Sequence, residues 1–155
     1  MRTLTENYVF EALSPQIADG AAVGTPWTLM DAVDPVLFYV IVGATDTTVD
    51  VKVEQATASD GTGAKDLTGS DITQLSAAAG DNKQVAVEVE PARMDIKNGF
   101  VYARVLVTAG DGTEGAYVAG VSVKRSRHNP PTQPAAFTQR IRVAVEENTS
   151  ESTVS

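Results

Sequence analysis

The stretch that decides the fold, residues 36–67, reads VLFYVIVGATDTTVDVKVEQATASDGTGAKDL. Its first seven residues are apolar and rich in β-branched and aromatic side chains. Their short length favours a strand covered on both faces over part of a buried helix. After a turn at residues 43–46, the valines at positions 49, 51 and 53 alternate with polar and charged residues, which is the period of a half-buried strand. The two segments are therefore predicted to pair as a β-hairpin.

A glycine-rich loop, residues 58–65 (ASDGTGAK), follows these strands. A phosphate-binding loop requires a lysine followed by serine or threonine and then a helix. Here Asp66 follows Lys65 and no helical pattern comes next, so the loop is predicted to be a surface turn. The single tryptophan, Trp27, is predicted to pack at a core edge, and an aromatic side chain in a binding groove is the alternative.

Short segments with strand character occur along the whole chain. They include residues 7–13, 84–90, 100–108, 116–124 and 137–145, and residues 25–30 as a candidate partner of the run at 36–42. Pro15 and Gly20 are predicted to mark the turn after the first of them. Residues 100–108 and 116–124 flank a glycine-containing loop and are predicted to form a second hairpin.

The count is about eight strands without a sustained helical period. This pattern predicts an all-β fold, a single-domain antiparallel β-sandwich that is jelly-roll-like. The domain is predicted to span residues 1–145 and to be followed by a flexible polar tail at 146–155.

Composition narrows the class of protein. A chain of 155 residues, 43% hydrophobic and 21% charged, indicates one globular domain. The absence of cysteine excludes disulfides, thiol catalysis and cysteine-based metal sites. The net charge of −8 argues against a nucleic-acid partner. No charged and then apolar leader opens the chain and no apolar run approaches a membrane span, so neither export nor membrane insertion is expected.

The sequence offers no recognisable reaction centre. His128 is the only histidine, which excludes a multi-histidine metal site, and it lies in a proline-rich loop. No serine stands in a Gly-x-Ser-x-Gly elbow. The loops around Asp60 and Asp111 lack the ligand spacing of a calcium loop. We therefore expect no enzymatic activity, no cofactor and no metal site.

Charge is distributed unevenly along the chain. Residues 115–145 contain no acidic residue and five of the 12 basic ones, so that seven basic residues stand against 20 acidic ones elsewhere. A cationic segment on an anionic protein suits docking onto an acidic surface or contact between copies. Basic side chains solvated on edge strands are the alternative. The candidate protein-contact residues are Arg125, Arg127, His128, Arg140 and Arg142, with Tyr8 from the N-terminal arm, residues 1–8.

Three short motifs carry a resemblance to known proteins. A strand ending in Glu-Gln-Ala-Thr at residues 54–57 leads to Gly-Thr-Gly-Ala-Lys at 61–65. Further on, Asn-Gly-Phe at 98–100 opens a strand of the type Val-x-Ala-Arg-Val. In these motifs, and over residues 38–123, the chain resembles small virion structural proteins of tailed bacteriophages.

The resemblance implies a β-rich protein of the phage particle, of the capsid decoration or cement type. Such a protein would be made in the bacterial host cytoplasm and would bind the outside of the major capsid protein lattice, on the virion surface. We expect a homotrimer at three-fold positions, whose affinity comes from many symmetric copies. A head–tail connector, or a tail- or fibre-associated module that contacts a receptor or carbohydrate, is the alternative.

Overall fold

The computed structural model describes residues 7–30, 34–77, 81–110 and 115–125. In this part of the chain it has nine β-strands, two 3-10 turns at Pro91–Arg93 and Ile96–Asn98, and no α-helix among its elements. The strands are β1 (Tyr8–Ala18), β2 (Val23–Gly24), β3 (Thr28–Leu29), β4 (Val36–Thr45), β5 (Val49–Ala56), β6 (Lys65–Asp66), β7 (Lys83–Val89), β8 (Tyr102–Ala109) and β9 (Ala116–Arg125).

The strands form two antiparallel sheets. Sheet A has the order β1-β9-β4-β7. In sheet B both β2 and β3 pair with β8, which is followed by β5 and β6. Counted as one interrupted strand, β2 and β3 reduce the total to eight, and the two sheets then read 1-8-3-6 and 2-7-4-5. This is the double Greek-key order of a jelly roll, so the predicted jelly-roll-like β-sandwich is confirmed.

Both predicted hairpins are wrong. Strand β4 lies in sheet A and pairs with β7 and β9, whereas β5 lies in sheet B and pairs with β8. Strands β8 and β9 are likewise in different sheets. The short connections therefore cross from one sheet to the other. Alternation of apolar residues identifies the buried face of a strand, but it does not identify the strand's hydrogen-bonded neighbour.

The first strand and the segment at 25–30 also differ from expectation. Strand β1 runs through Pro15 to Ala18, because a register shift after Leu13 accommodates the proline on an edge strand. Residues 28–29 pair with β8 rather than with β4. The predicted strand at 137–145 and the predicted domain end lie outside the described residues.

The core lies between the two sheets and is built mainly from alternate residues of β4, β5 and β8. Its most deeply buried side chains are Val36, Phe38, Val40, Val42, Val49, Val51, Val53, Ala103, Val105 and Val107. At one end a polar contact joins the sheets, where the Thr28 hydroxyl donates to the Glu11 carboxylate at 2.7 Å. The same hydroxyl lies 3.2 Å from the hydroxyl of Ser122 in sheet A. Each sheet thus presents one face to the core and one to the outside.

Candidate interaction surface

The outer face of sheet B is polar, and it carries two ion pairs. The Lys52 amine lies 2.7 Å from an Asp66 carboxylate oxygen. The Arg104 guanidinium donates two hydrogen bonds, of 3.1 and 2.9 Å, to one oxygen of Glu54. Lys52 and Glu54 alternate with the core valines of β5. Sheet B therefore has the ordinary pattern of one buried and one solvated face.

Trp27 packs at the edge of this polar face. The Arg104 guanidinium carbon lies 4.5 Å from the centroid of the indole ring, a cation–π contact. The ring also lies beside the turn at Gly61. The Asp60 carboxylate closes this turn by accepting hydrogen bonds from the Thr62 N–H (2.9 Å) and hydroxyl (2.7 Å). The glycine-rich loop is a surface turn, as predicted. Trp27 is half-buried and also lines a small groove with Tyr102 and Lys124, so the choice between a packing role and a binding groove stays a prediction.

Replacing Gly61 by alanine is expected to lower the free energy of unfolding by about 2–5 kcal/mol. The positive φ of +86° costs an alanine about 1–2 kcal/mol. The added Cβ would also lie 2.8 Å from the indole nitrogen of Trp27 and would displace the ring, an overpacking cost of about 1–3 kcal/mol. Urea unfolding measures the loss, and tryptophan emission reports the displaced ring.

Gly69→Ala is the matched control for this substitution. Gly69 has a φ of +82°, and among the described residues no atom lies within 4 Å of an added Cβ. The control should lose only about 1–2 kcal/mol, with unchanged tryptophan emission. Equal losses for the two variants would mean that the Gly61–Trp27 contact contributes nothing.

A second polar cluster fixes the turn that precedes β8. The Lys65 amine lies 2.6 Å from an Asp95 carboxylate oxygen and 3.8 Å from the centroid of the Phe100 ring. The Asn98 amide donates to the other Asp95 oxygen at 2.7 Å. The hydrogen bond from Lys65, followed in importance by that from Asn98, holds the pKa of Asp95 below its ordinary value of 3.8, while desolvation opposes the shift.

This lowered pKa predicts a loss of stability in acid. The pKa of Asp95 is lower in the folded than in the unfolded chain, so its contribution is complete above the ordinary value of 3.8 and disappears as the pH falls through the folded pKa. An NMR titration of the Asp95 carboxyl group should show the depressed pKa, and Lys65→Gln should raise it towards the ordinary value. An Asp95 pKa that is the same in both proteins would contradict the assignment.

The outer face of sheet A, hereafter the apolar face, has the opposite character. Cross-strand pairing places on it Tyr8, Phe10, Ala12 and Ile17 of β1, Tyr117, Ala119, Val121 and Val123 of β9, Leu37, Tyr39 and Ile41 of β4, and Ala86 of β7. On the described strands, the charged side chains of this face are Glu88 and Arg125, both at the same end. A contiguous exposed apolar surface of this kind marks an interaction site.

A shallow groove of about 370 Å³ lies at the other end of the apolar face. It opens where register shifts in both β1 and β4 flank β9. Ile17 and Ile41 form its sides and Tyr117 lies between them, with 51%, 46% and 60% of their surfaces exposed. These three neighbouring side chains present their apolar surface to solvent in the single chain.

Two of the six predicted contact residues are described, and they are neighbours. Tyr8 and Arg125 are partners across β1 and β9, at the charged end of the apolar face. The Arg125 guanidinium is mostly exposed and lies 3.9 Å from a carboxylate oxygen of Asp34. The other four, Arg127, His128, Arg140 and Arg142, lie outside the described residues.

The apolar face was not predicted from the sequence, although the apolar residues that form it are visible there. Residues 36–42 are apolar on both faces of the strand, and residues 117–123 contain no charged residue. This pattern predicted a strand covered twice, and within the described residues the fold covers it once. The second covering has to come from elsewhere.

The described residues contain no group of three or more histidine, cysteine, aspartate or glutamate side chains placed to hold a metal ion. Their helical turns include none long and apolar enough to cross a bilayer. Comparison with known proteins adds no relative: no protein-family model matches the chain, and a search of curated proteins finds no match.

Proposed function

We propose that the chain is a non-enzymatic structural protein of a tailed-phage virion that binds and stabilises the outside of the capsid. The observation that carries the proposal is the contrast between the two outer faces of one sandwich. Sheet B has paired charges, whereas sheet A exposes an apolar face with Ile17, Ile41 and Tyr117 around a groove. An apolar outer face marks a site of contact between protein chains, as an oligomeric structural protein requires, and the resemblance to phage virion proteins supplies the context.

The proposed binding needs no strong single contact. A capsid lattice repeats its binding position many times, and an oligomer of this chain engages several positions at once, so modest contacts add up to high avidity. The cationic segment, residues 115–145, provides the complementary charge for an acidic capsid surface. We propose three copies at each three-fold position of the major capsid protein lattice.

A receptor- or carbohydrate-contacting module is the less well supported role. Such modules display aromatic side chains on loops, where they stack on a ligand. Here the Arg104 guanidinium already stacks on the Trp27 ring, and the turn at Gly61 lies beside the ring. Tyr117 is exposed, but it belongs to a strand at the centre of sheet A.

Reconstitution on particles tests the proposal. Particles are produced from the phage genome that encodes the chain, with this gene deleted, and are mixed with the purified full-length protein before sedimentation through sucrose. The protein is expected to sediment with the particles in proportion to the major capsid protein. Protein that stays in the supernatant, or that binds in a few copies per particle as a connector or tail component does, would overturn the proposal.

Charge-reversal variants identify the docking segment in the same assay. Arg140→Glu with Arg142→Glu should reduce the bound fraction, and salt should weaken the binding of the unmodified protein. Arg93→Glu with Lys97→Glu is the matched control, because both side chains are exposed and lie outside the cationic segment. Equal effects of the two double variants would show that net charge alone controls binding.

A further inference from the structure

We propose that the apolar face is the surface through which copies of this chain associate with one another. The occupant of the face is a second copy, packed against Tyr117, Ile41 and their neighbours on sheet A. This inference does not depend on the proposed function, because a protein in any role could assemble in this way. Three observations favour a second copy over another partner.

The first observation is composition. Interfaces that form and dissociate are about as polar as the rest of a protein surface, whereas permanent homomeric interfaces resemble a core cut in half. On the apolar face, β4 contributes Leu37, Tyr39 and Ile41, and β9 contributes four uncharged residues in succession. The outward-facing side chains of the two central strands of sheet A are thus as apolar as the core-facing side chains of many strands. A surface of this composition is typical of a permanent interface, and a second copy of the chain would bury it.

The second observation is size. Four strands spaced about 4.8 Å apart, with about eight residues at about 3.3 Å each, give a footprint of about 19 by 26 Å, or about 500 Å² in projection. The accessible surface is larger, because side chains such as Tyr117 and Ile17 stand out from the sheet. That is the order of the about 800 Å² per partner that a standard stable interface buries.

The third observation is charge. The chain carries a net charge of −8, so two copies repel each other over most of their surfaces. Two copies that approach each other through the apolar face bring few charged side chains close together. Its two charged side chains, Glu88 and Arg125, are of opposite sign and lie at the same end. Association through this face therefore brings few charged side chains into the interface.

Cysteine cross-linking tests the inference cleanly, because the chain contains no cysteine of its own. Ala12→Cys, Ala119→Cys and Ala86→Cys place one thiol each on β1, β9 and β7 of the apolar face, with a minimal change of side-chain volume. Thr108→Cys on the outer face of sheet B is the control. Each full-length variant is treated with a mild oxidant at low protein concentration, and the disulfide-linked product is separated without reducing agent.

At least one of the three variants on the apolar face is expected to form a cross-linked pair, since an alanine near the symmetry axis meets its own counterpart. The control should stay unlinked. No linked product from any variant, or equal linking by the control, would overturn the inference. Labelling with a maleimide then separates the causes of failure: thiols on the apolar face that resist labelling are covered by the chain's own residues, and reactive thiols show an open surface that serves another partner. Association through this face without binding to particles would leave this inference intact and remove the proposed function.

Discussion

Ile41→Glu is expected to weaken self-association at least about 100-fold, which corresponds to about 2.8 kcal/mol. Ile41 is 46% exposed in the single chain, and an exposed substitution changes folding stability by only about 0.5 kcal/mol. In the proposed assembly the same position is buried, and an unpaired carboxylate there costs several kcal/mol of desolvation. Sedimentation equilibrium over a range of protein concentrations measures the dissociation constant.

Two controls separate burial of the charge from simple repulsion. Ala92→Glu adds the same negative charge at an exposed position in the turn after β7, outside the strands that form the apolar face, and should leave the dissociation constant unchanged. Ile41→Lys adds a positive charge on the apolar face and should weaken association as strongly as Ile41→Glu. Strong weakening by Ile41→Glu alone would indicate repulsion between anionic chains and would contradict burial of this face.

Phe38→Ala is expected to lower the free energy of unfolding by about 3–5 kcal/mol. Phe38 is fully buried on the inner face of β4, between its cross-strand partners Val87 and Ser122. Its removal leaves a cavity that close-packed neighbours fill only in part. Because a domain of this kind is stable by about 5–15 kcal/mol in total, the variant should unfold at a much lower urea concentration.

Leu37→Ala, one residue away on the opposite face of β4, is the control for the core substitution. Measured at a concentration low enough for the copies to separate, it should lower the free energy of unfolding by only about 1–2 kcal/mol, because Leu37 is then partly exposed. At a concentration that favours association it should cost more. A loss as large as that of Phe38→Ala at every concentration would mean that the chain's own residues cover the apolar face.

The sequence predicted the faces of strands well, because burial acts on each residue locally. Val49, Val51 and Val53 alternate with polar and charged residues and are buried as predicted, and Pro91 follows directly after Glu90, beyond the end of β7. The sequence predicted strand partners poorly. Partners depend on how a chain crosses between two sheets, and a three-residue connection such as 46–48 is compatible with a hairpin or with a crossover.

The contact surface could be predicted only in part. The charge count singled out Arg125, and the N-terminal arm was the source of Tyr8 as a candidate. The structure brings these two residues together at one end of the apolar face. It did not single out Ile17, Ile41 and Tyr117, because they meet only when β1, β4 and β9 lie side by side in sheet A. Residues from three distant segments share a surface through topology, which periodicity within one segment does not contain.

The mass of the full-length protein in solution, followed by light scattering through a dilution series, shows whether copies of this chain associate. We expect a stable multiple of the 16.3 kDa chain, three copies if the protein sits at three-fold positions, with dissociation on dilution of the Ile41→Glu variant. A mass of two chains would keep the apolar face as the contact and remove the three-fold placement. A mass of one chain at every concentration would contradict the claim that copies of this protein cover each other's apolar face.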